Sequence, residues 1–183
     1  KTAKLLGIEF PGGPQIEIYA KKGNPNKYEL PKPIFNRGGC NLSFAGLKTA
    51  ILKISKQIKS EQEKYDLAAS FQKTIEIILL KKSKIAFKKF KKINKSCKNK
   101  FVVAGGVAAN KRIRKVLEDL CKEESFEAIF PPINLCGDNA AMIAMVGLEK
   151  FKLNQFSKLD HPAKPRWSLD EDAVFLKGAG IKL

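Results

Sequence analysis

Gly105-Gly106 follows the short apolar run Phe101-Val102-Val103-Ala104 and precedes a helical pattern whose first turn holds Asn110. Glycines at such a junction let backbone N–H groups approach an anionic or ribose group, and the helix N-terminus behind them adds the positive end of its dipole. The same pair serves equally as an ordinary strand-to-helix turn. Asn110 carries an amide that can read a ribose or base edge, or simply cap its helix. Asp138 stands beside Asn139 at the head of a further helix. A carboxylate there can hold a hard or borderline cation, and it can equally be the N-cap. One carboxylate does not bind a metal tightly. The sole histidine, His161, lies in a Pro-flanked tail, and no HExxH or HxxxH pattern exists, so any histidine ligands come from elsewhere.

A second chemistry is electrostatic. Between positions 81 and 100 there are ten lysines and no acidic residue, and Lys81, Lys84, Lys88, Lys91 or Lys92, and Lys95 step by 3 or 4 along one helix side. Lys84, Lys88 and Lys92 are the candidate contacts to nucleic-acid phosphates, because neutralising phosphates releases counterions and a net charge of +17 favours any polyanion. The same stripe reads equally as a solvated face, since Phe87 and Phe90 fit a core better than a stack of bases.

The elements that must position these groups follow from periodicity. Ala3 and Leu6 share a helical side that Gly7 would cap. Pro11-Gly12-Gly13-Pro14 is a tight loop, with Pro14 suited to the first position of a short helix that Gly23 could end. Pro25, Pro31 and Pro33 bar any long element from Lys21 to Gly39, which reads as an ordered excursion. Phe44, Leu47, Ile51, Ile54 and Ile58 mark an amphipathic helix from Ser43. Another, from about Asp66, buries Leu67, Phe71, Ile75, Ile78, Leu79, Ile85, Ala86, Phe90 and Ile93. The run 101–104 lacks polar alternation, as a strand covered on both faces would. A helix with Ile113, Val116, Leu117 and Leu120 inward follows, then a second strand, Glu127 to Phe130, stopped by Pro131-Pro132. Asp138 is the expected N-cap of a helix from Asn139 to about Phe151 that is apolar almost all round and so demands cover. Beyond Pro162 the tail turns polar and Gly-rich and is expected to end loosely.

Composition bounds the whole. At 183 residues and 44% hydrophobic residues, the chain has the makings of one domain, or one lobe of a larger enzyme, and is not a disordered polycation. Cys40, Cys97, Cys121 and Cys136 form no CxxC pair, which excludes a zinc ribbon or disulfide framework and predicts a reducing cytoplasm. The longest strongly apolar run, Asn139 to Leu148, is far short of the ~20 residues of a membrane span. The chain opens in what reads as the last turns of a helix, so a piece of a longer protein is expected.

Taken together, several segments resemble one family closely. They are Lys4-Leu5-Leu6-Gly7 with Pro11-Gly12-Gly13-Pro14, Ser43-Phe44-Ala45-Gly46-Leu47-Lys48-Thr49, Ala68-Ala69-Ser70-Phe71-Gln72, Ala104-Gly105-Gly106-Val107-Ala108-Ala109-Asn110, and Cys136-Gly137-Asp138-Asn139-Ala140-Ala141-Met142-Ile143-Ala144. In order and spacing they resemble the C-terminal half of the TsaD family of tRNA N6-adenosine threonylcarbamoyltransferases, formerly described as O-sialoglycoprotein endopeptidases. The likeness runs from Lys1 to about Leu169.

The resemblance implies an α/β fold of the actin-like, Hsp70-like ATPase (ASKHA) type, with the chain as the C-terminal portion of a two-lobe enzyme. Residues 1–137 would be a nucleotide-contacting lobe, 138–151 a buried helix toward the missing lobe, and 152–183 a tail. It implies transfer of threonylcarbamoyl from threonylcarbamoyl-adenylate to N6 of the adenosine beside the anticodon, in tRNAs that read codons starting with A. Gly13 and Asn110 would contact the donor, with Gly105 and Gly106 letting the backbone approach it. Asp138 would ligate one divalent iron or zinc ion that polarises the donor carbonyl, the other ligands being histidines of an HxxxH motif in the absent half. No protein nucleophile is implied. Expected partners are tRNA, the adenylate donor and bacterial proteins of the same modification pathway, with no membrane. Ala45 stands where the family usually has Ser, and Gly137 where it usually has Thr.

Two rivals are a small-molecule kinase of the same superfamily and a non-catalytic basic RNA-binding module. A peptidase is the least favoured reading, because neither an HExxH helix nor a Ser/His/Asp set can be assembled with one tail histidine. Without the histidine pair, residues 1–183 alone are expected to bind no stoichiometric metal and to transfer nothing. Metal content and threonylcarbamoyl transfer of the isolated chain test this, and full activity would refute it.

Overall fold

The computed structural model of the chain describes residues 1–96 and 98–163. The tail expected to end loosely, from residue 164 on, and Cys97 lie outside them. The chain is α/β and divides after Gly137 into two compact units.

The first unit is organised by one long helix. Helices α1 (Thr2–Leu5), α2 (Gly12–Ala20) and α3 (Leu47–Ser55) precede α4, which runs Glu61–Ile93. At 33 residues α4 is ~50 Å long. It begins five residues before the point where apolar periodicity starts, because Ser60 and Glu63 form a reciprocal capping box that satisfies orphan amides. Leu67 and Ala68 of α4 close one core with Ala3, Leu6, Ile16, Leu30, Leu47 and Ile51. Phe87, two turns before its end, closes a second with Ile113, Leu117, Leu120, Cys121 and Phe126. Ile75 packs against both. Ile93, expected inside, is 78% exposed, since the second core ends at Phe87 and Phe90.

Strands β1 (Lys100–Val102) and β2 (Glu127–Ile129) pair in parallel, Phe101 opposite Ala128, joined through α5 (Lys111–Glu123). The expectation of a strand covered on both faces is corrected here. Phe101 packs edge-on to Phe87 at 4.9 Å, but the alternate residue Val102 is 63% exposed, because helices cover one face of this two-stranded sheet.

The excursion of residues 21–39 has no regular elements, so its backbone must find partners elsewhere. Polar side chains on α4 supply them. Asp66 accepts from the Asn24 N–H at 2.7 Å, and Ser70 accepts from Tyr28 N–H at 3.1 Å while donating to the Asn24 carbonyl. Lys82, buried despite its charge, donates to the carbonyls of Ile34, Arg37 and Gly39 at 2.9, 2.8 and 3.4 Å. Gly23 does not end α2, which stops at Ala20. It sits instead against α4, where an added Cβ would fall 2.0 Å from the Tyr65 carbonyl oxygen. Pro14 likewise lies at the third position of α2, not the first.

The second unit starts at Asp138 and contains α6 (Ala140–Lys152). Its N-cap is Asn139, whose side chain accepts from Met142 N–H at 3.1 Å. This corrects the assignment of the cap to Asp138. No residue of α6 is buried, although its composition demands cover. No helix among the described residues is long and apolar enough to cross a membrane.

Gly23→Ala should destabilise the chain by about 3 kcal/mol, because the clash is with backbone that cannot yield, against about 1 kcal/mol for Ser60→Ala. Urea unfolding of the two variants checks the order.

Candidate functional site

α2, α4 and α5 converge on a groove of about 630 Å³. Polar side chains on its wall are Glu17 and Lys21 of α2, Gln72, Lys73 and Glu76 of α4, and Lys111 and Arg112 of α5. Apolar surface between them comes from Ala20, Ala69, Ile77, Leu80 and Val116. Sequence reading singles out Gln72 only as part of a motif and misses Glu17 and Glu76, which carry no local signal of their own.

Asn110 stands at the head of α5, next to the groove-lining Lys111. Its Oδ1 accepts from Ile113 N–H at 2.9 Å, making it the N-cap of α5, and its Nδ2 donates to Gln72 Oε1, also at 2.9 Å. Both ends of the amide are thus engaged, and the capping role is realised. One residue on, Lys111 N–H donates to Glu17 Oε1 at 3.1 Å. Arg112 Nε meets both carboxylate oxygens of Glu76, at 3.3 and 3.4 Å. Three contacts therefore pin the start of α5 to α2 and α4.

Gly13 lies in the first turn of the same α2 that carries Glu17. A Cβ on Gly13 or Gly106 would meet nothing within 4 Å, so packing inside this chain does not require glycine at either place. Gly105 does require it, at φ +91°, to turn from β1 into the short 3-10 turn Gly106–Ala109. The glycine backbone is open toward solvent at all three positions.

Asp138 belongs to the other unit, exposed at the head of α6 beside a hollow shared with Asn139, Ala140 and Ile143. Among the described residues no three His, Cys, Asp or Glu side chains come together to hold a metal. The described residues do not by themselves make a metal centre, and Asp138 could supply one carboxylate to a centre completed from elsewhere. Ala45 and Gly137 are both exposed, so neither departure disturbs a core.

The lysine stripe occupies the far half of α4. Acids absent from positions 81–100 reach it from the end of α5, where Glu123 lies 3.6 Å from Lys84 and Glu124 3.3 Å from Lys91. Lys88 and Lys92 are exposed, with no ion pair among the described residues.

The family model described as tRNA N6-adenosine threonylcarbamoyltransferase, TsaD, matches residues 1–145. The protein of that name from Pelagibacter ubique (strain HTCC1062) is 86% identical over 183 residues, all of this chain and 51% of the relative. Its namesakes from Rickettsia rickettsii (strain Sheila Smith) and Rickettsia massiliae (strain Mtu5) are 48% and 47% identical over 174 residues, 93% of this chain and 51% of each relative. The chain spans about half the length of the curated relatives it matches.

Asn110→Asp retains the cap acceptor and loses the donor to Gln72, whereas Asn110→Ala loses both. Thermal melts should rank wild type above Asn110→Asp and Asn110→Asp above Asn110→Ala, the last costing about 1–2 kcal/mol.

Proposed function

Since the chain belongs to the TsaD family, we propose that the longer protein of which it forms about half transfers threonylcarbamoyl from its adenylate to N6 of a tRNA adenosine. The observation that carries this reading is the head of α5, where Asn110 caps the helix and bonds Gln72 on the wall of the groove between α2, α4 and α5, with glycine backbone left open at positions 13 and 106. That combination suits a purine nucleoside: apolar walls for a flat base, and amides and carboxylates for its edges and its ribose. In this reading Gly13, Gly105, Gly106 and Asn110 contact the donor, and the unit is one lobe of an actin-like fold.

The chemistry asks for positioning more than for a protein nucleophile. The N6 nitrogen attacks the threonylcarbamoyl carbonyl, a C–N bond forms, the C–O bond to phosphate breaks, and AMP leaves as the amine loses its proton. Fixing both reactants in one cleft removes most of the entropic barrier to such a step. The three ties on α5 serve that purpose by holding Asn110 rigid from two sides. We assign Asp138 as one ligand of an iron or zinc ion whose remaining ligands lie outside this chain. Cytoplasm, where tRNA is found, is the matching compartment, and pathway partner proteins belong to the same reading.

The direct experiment is to incubate the full-length protein with threonylcarbamoyl-adenylate and unmodified tRNA and to look for the mass increment on the adenosine beside the anticodon. Phosphoryl transfer to a small acceptor instead would favour the kinase. For tRNA binding, Lys88→Glu with Lys92→Glu should weaken affinity and flatten the dependence of log K on log salt by about one unit per lysine. Lys84→Glu should do less, because Glu123 already offsets that charge. Filter binding across a salt series reads both effects.

A further inference from the structure

The two loops that leave the C-terminal ends of β1 and β2 emerge side by side, because the strands are parallel neighbours. Ligands of open α/β sheets gather at that end. One loop is Gly105 with the 3-10 turn Gly106–Ala109, and the other runs from Phe130 through the 3-10 turn Ile133–Leu135 to Cys136, two residues before Asp138. One side chain bonds to both. Arg114, in the first turns of α5, donates from Nε to the Ala108 carbonyl of one loop. From Nη2 it donates to the Pro131 carbonyl of the other at 2.6 Å and to Cys136 Sγ at 2.9 Å. Its guanidinium lies over the Phe130 ring, 4.8 Å from the centroid. Cys136 is buried at 3%, and its thiol also reaches the carbonyls of Pro131 and Pro132, at 3.7 and 3.5 Å.

From this geometry we propose that Arg114 is a positioning residue for the transfer reaction. Its rigid fork sets the register between the Gly105–Ala109 loop, which receives the donor, and the Phe130–Cys136 loop beside it, with Cys136 as the anchor on the second. The proposal rests on the function assigned above. Arginine is suited to the task where lysine is not, because a planar fork addresses two loops at once while an ammonium is a point donor on a flexible stem. Arg114 spends its donors on loop carbonyls and the Cys136 thiol, so the effect runs through loop geometry and not through contact with substrate.

The test uses Arg114→Lys and Arg114→Met in the full-length protein. Both should lower kcat by on the order of 10- to 100-fold with KM for tRNA unchanged, since displacing reacting groups by about 1 Å costs that much. Lysine should fail to rescue. Wild-type kcat in a folded Arg114→Met variant, or a loss confined to KM for tRNA, would overturn the proposal. If Arg114→Met does not fold, Cys136→Ala is the second variant. It removes only the anchor and should lower kcat in the same direction by less, and an unchanged kcat there is equally fatal. Hydrogen exchange gives a readout without turnover. In Arg114→Lys the Ala108 and Asn110 amides of the first turn and the Leu135 and Cys136 amides of the second should exchange faster together, whereas loosening of one turn alone refutes the tether. If wild-type protein transfers nothing, the assigned function fails, and exchange at the two turns still decides whether Arg114 joins them.

Discussion

The structure of the first unit depends on α4 serving two cores at once. Each core is small, and neither is closed without a face of this helix: Leu67 and Ala68 complete one, Phe87 the other, and Ile75 is shared. Most of a helix's stability within a protein comes from the apolar faces it buries, and α4 buries one in each core. The capping box at Ser60 and Glu63 fixes where it starts. Because α4 is one rigid rod, a residue near its beginning and one near its end hold a set distance. The groove and the lysine stripe therefore stand at separate stations along the same element.

Between those stations α4 also acts as a polar template. A segment rich in proline cannot satisfy its backbone by pairing with itself, and Asp66, Ser70 and Lys82 take the place of a neighbouring strand. This gives the motif Ala68-Ala69-Ser70-Phe71-Gln72 a physical meaning. The two alanines are buried where elements approach closely, Ser70 holds the excursion, and Gln72 receives Asn110. The N-cap of α5 and a packing motif on α4, 38 positions apart, are the two ends of one hydrogen bond.

Much of this was legible beforehand. Steps of 3 and 4 marked α3, α4 and α5, and the apolar run followed by Gly105-Gly106 marked β1 and the turn after it. Errors arose where a local pattern met a competing tertiary demand. Gly23 reads as a helix end but is small because α4 passes against it. Lys82 reads as one more surface cation, yet three carbonyls draw it inside. Asp138 and Asn139 are both good caps, and the cap falls to Asn139, one residue later than the spacing suggested. Arg114 gave no signal, since an arginine in a helix is ordinary until its partners are known.

Residue types and spacing alone determined that this chain is a basic α/β protein and that glycines and an asparagine sit at a strand-to-helix junction. Those are statements about local chemistry, and local chemistry is written in neighbouring letters. The tertiary structure alone decided which polar groups meet. It paired Asn110 with Gln72 and Lys111 with Glu17, brought acids from α5 onto part of the lysine stripe, and joined two loops through Arg114. Each of those contacts spans a separation in sequence that no periodicity encodes, because it is set by how helices pack and not by how any one of them forms.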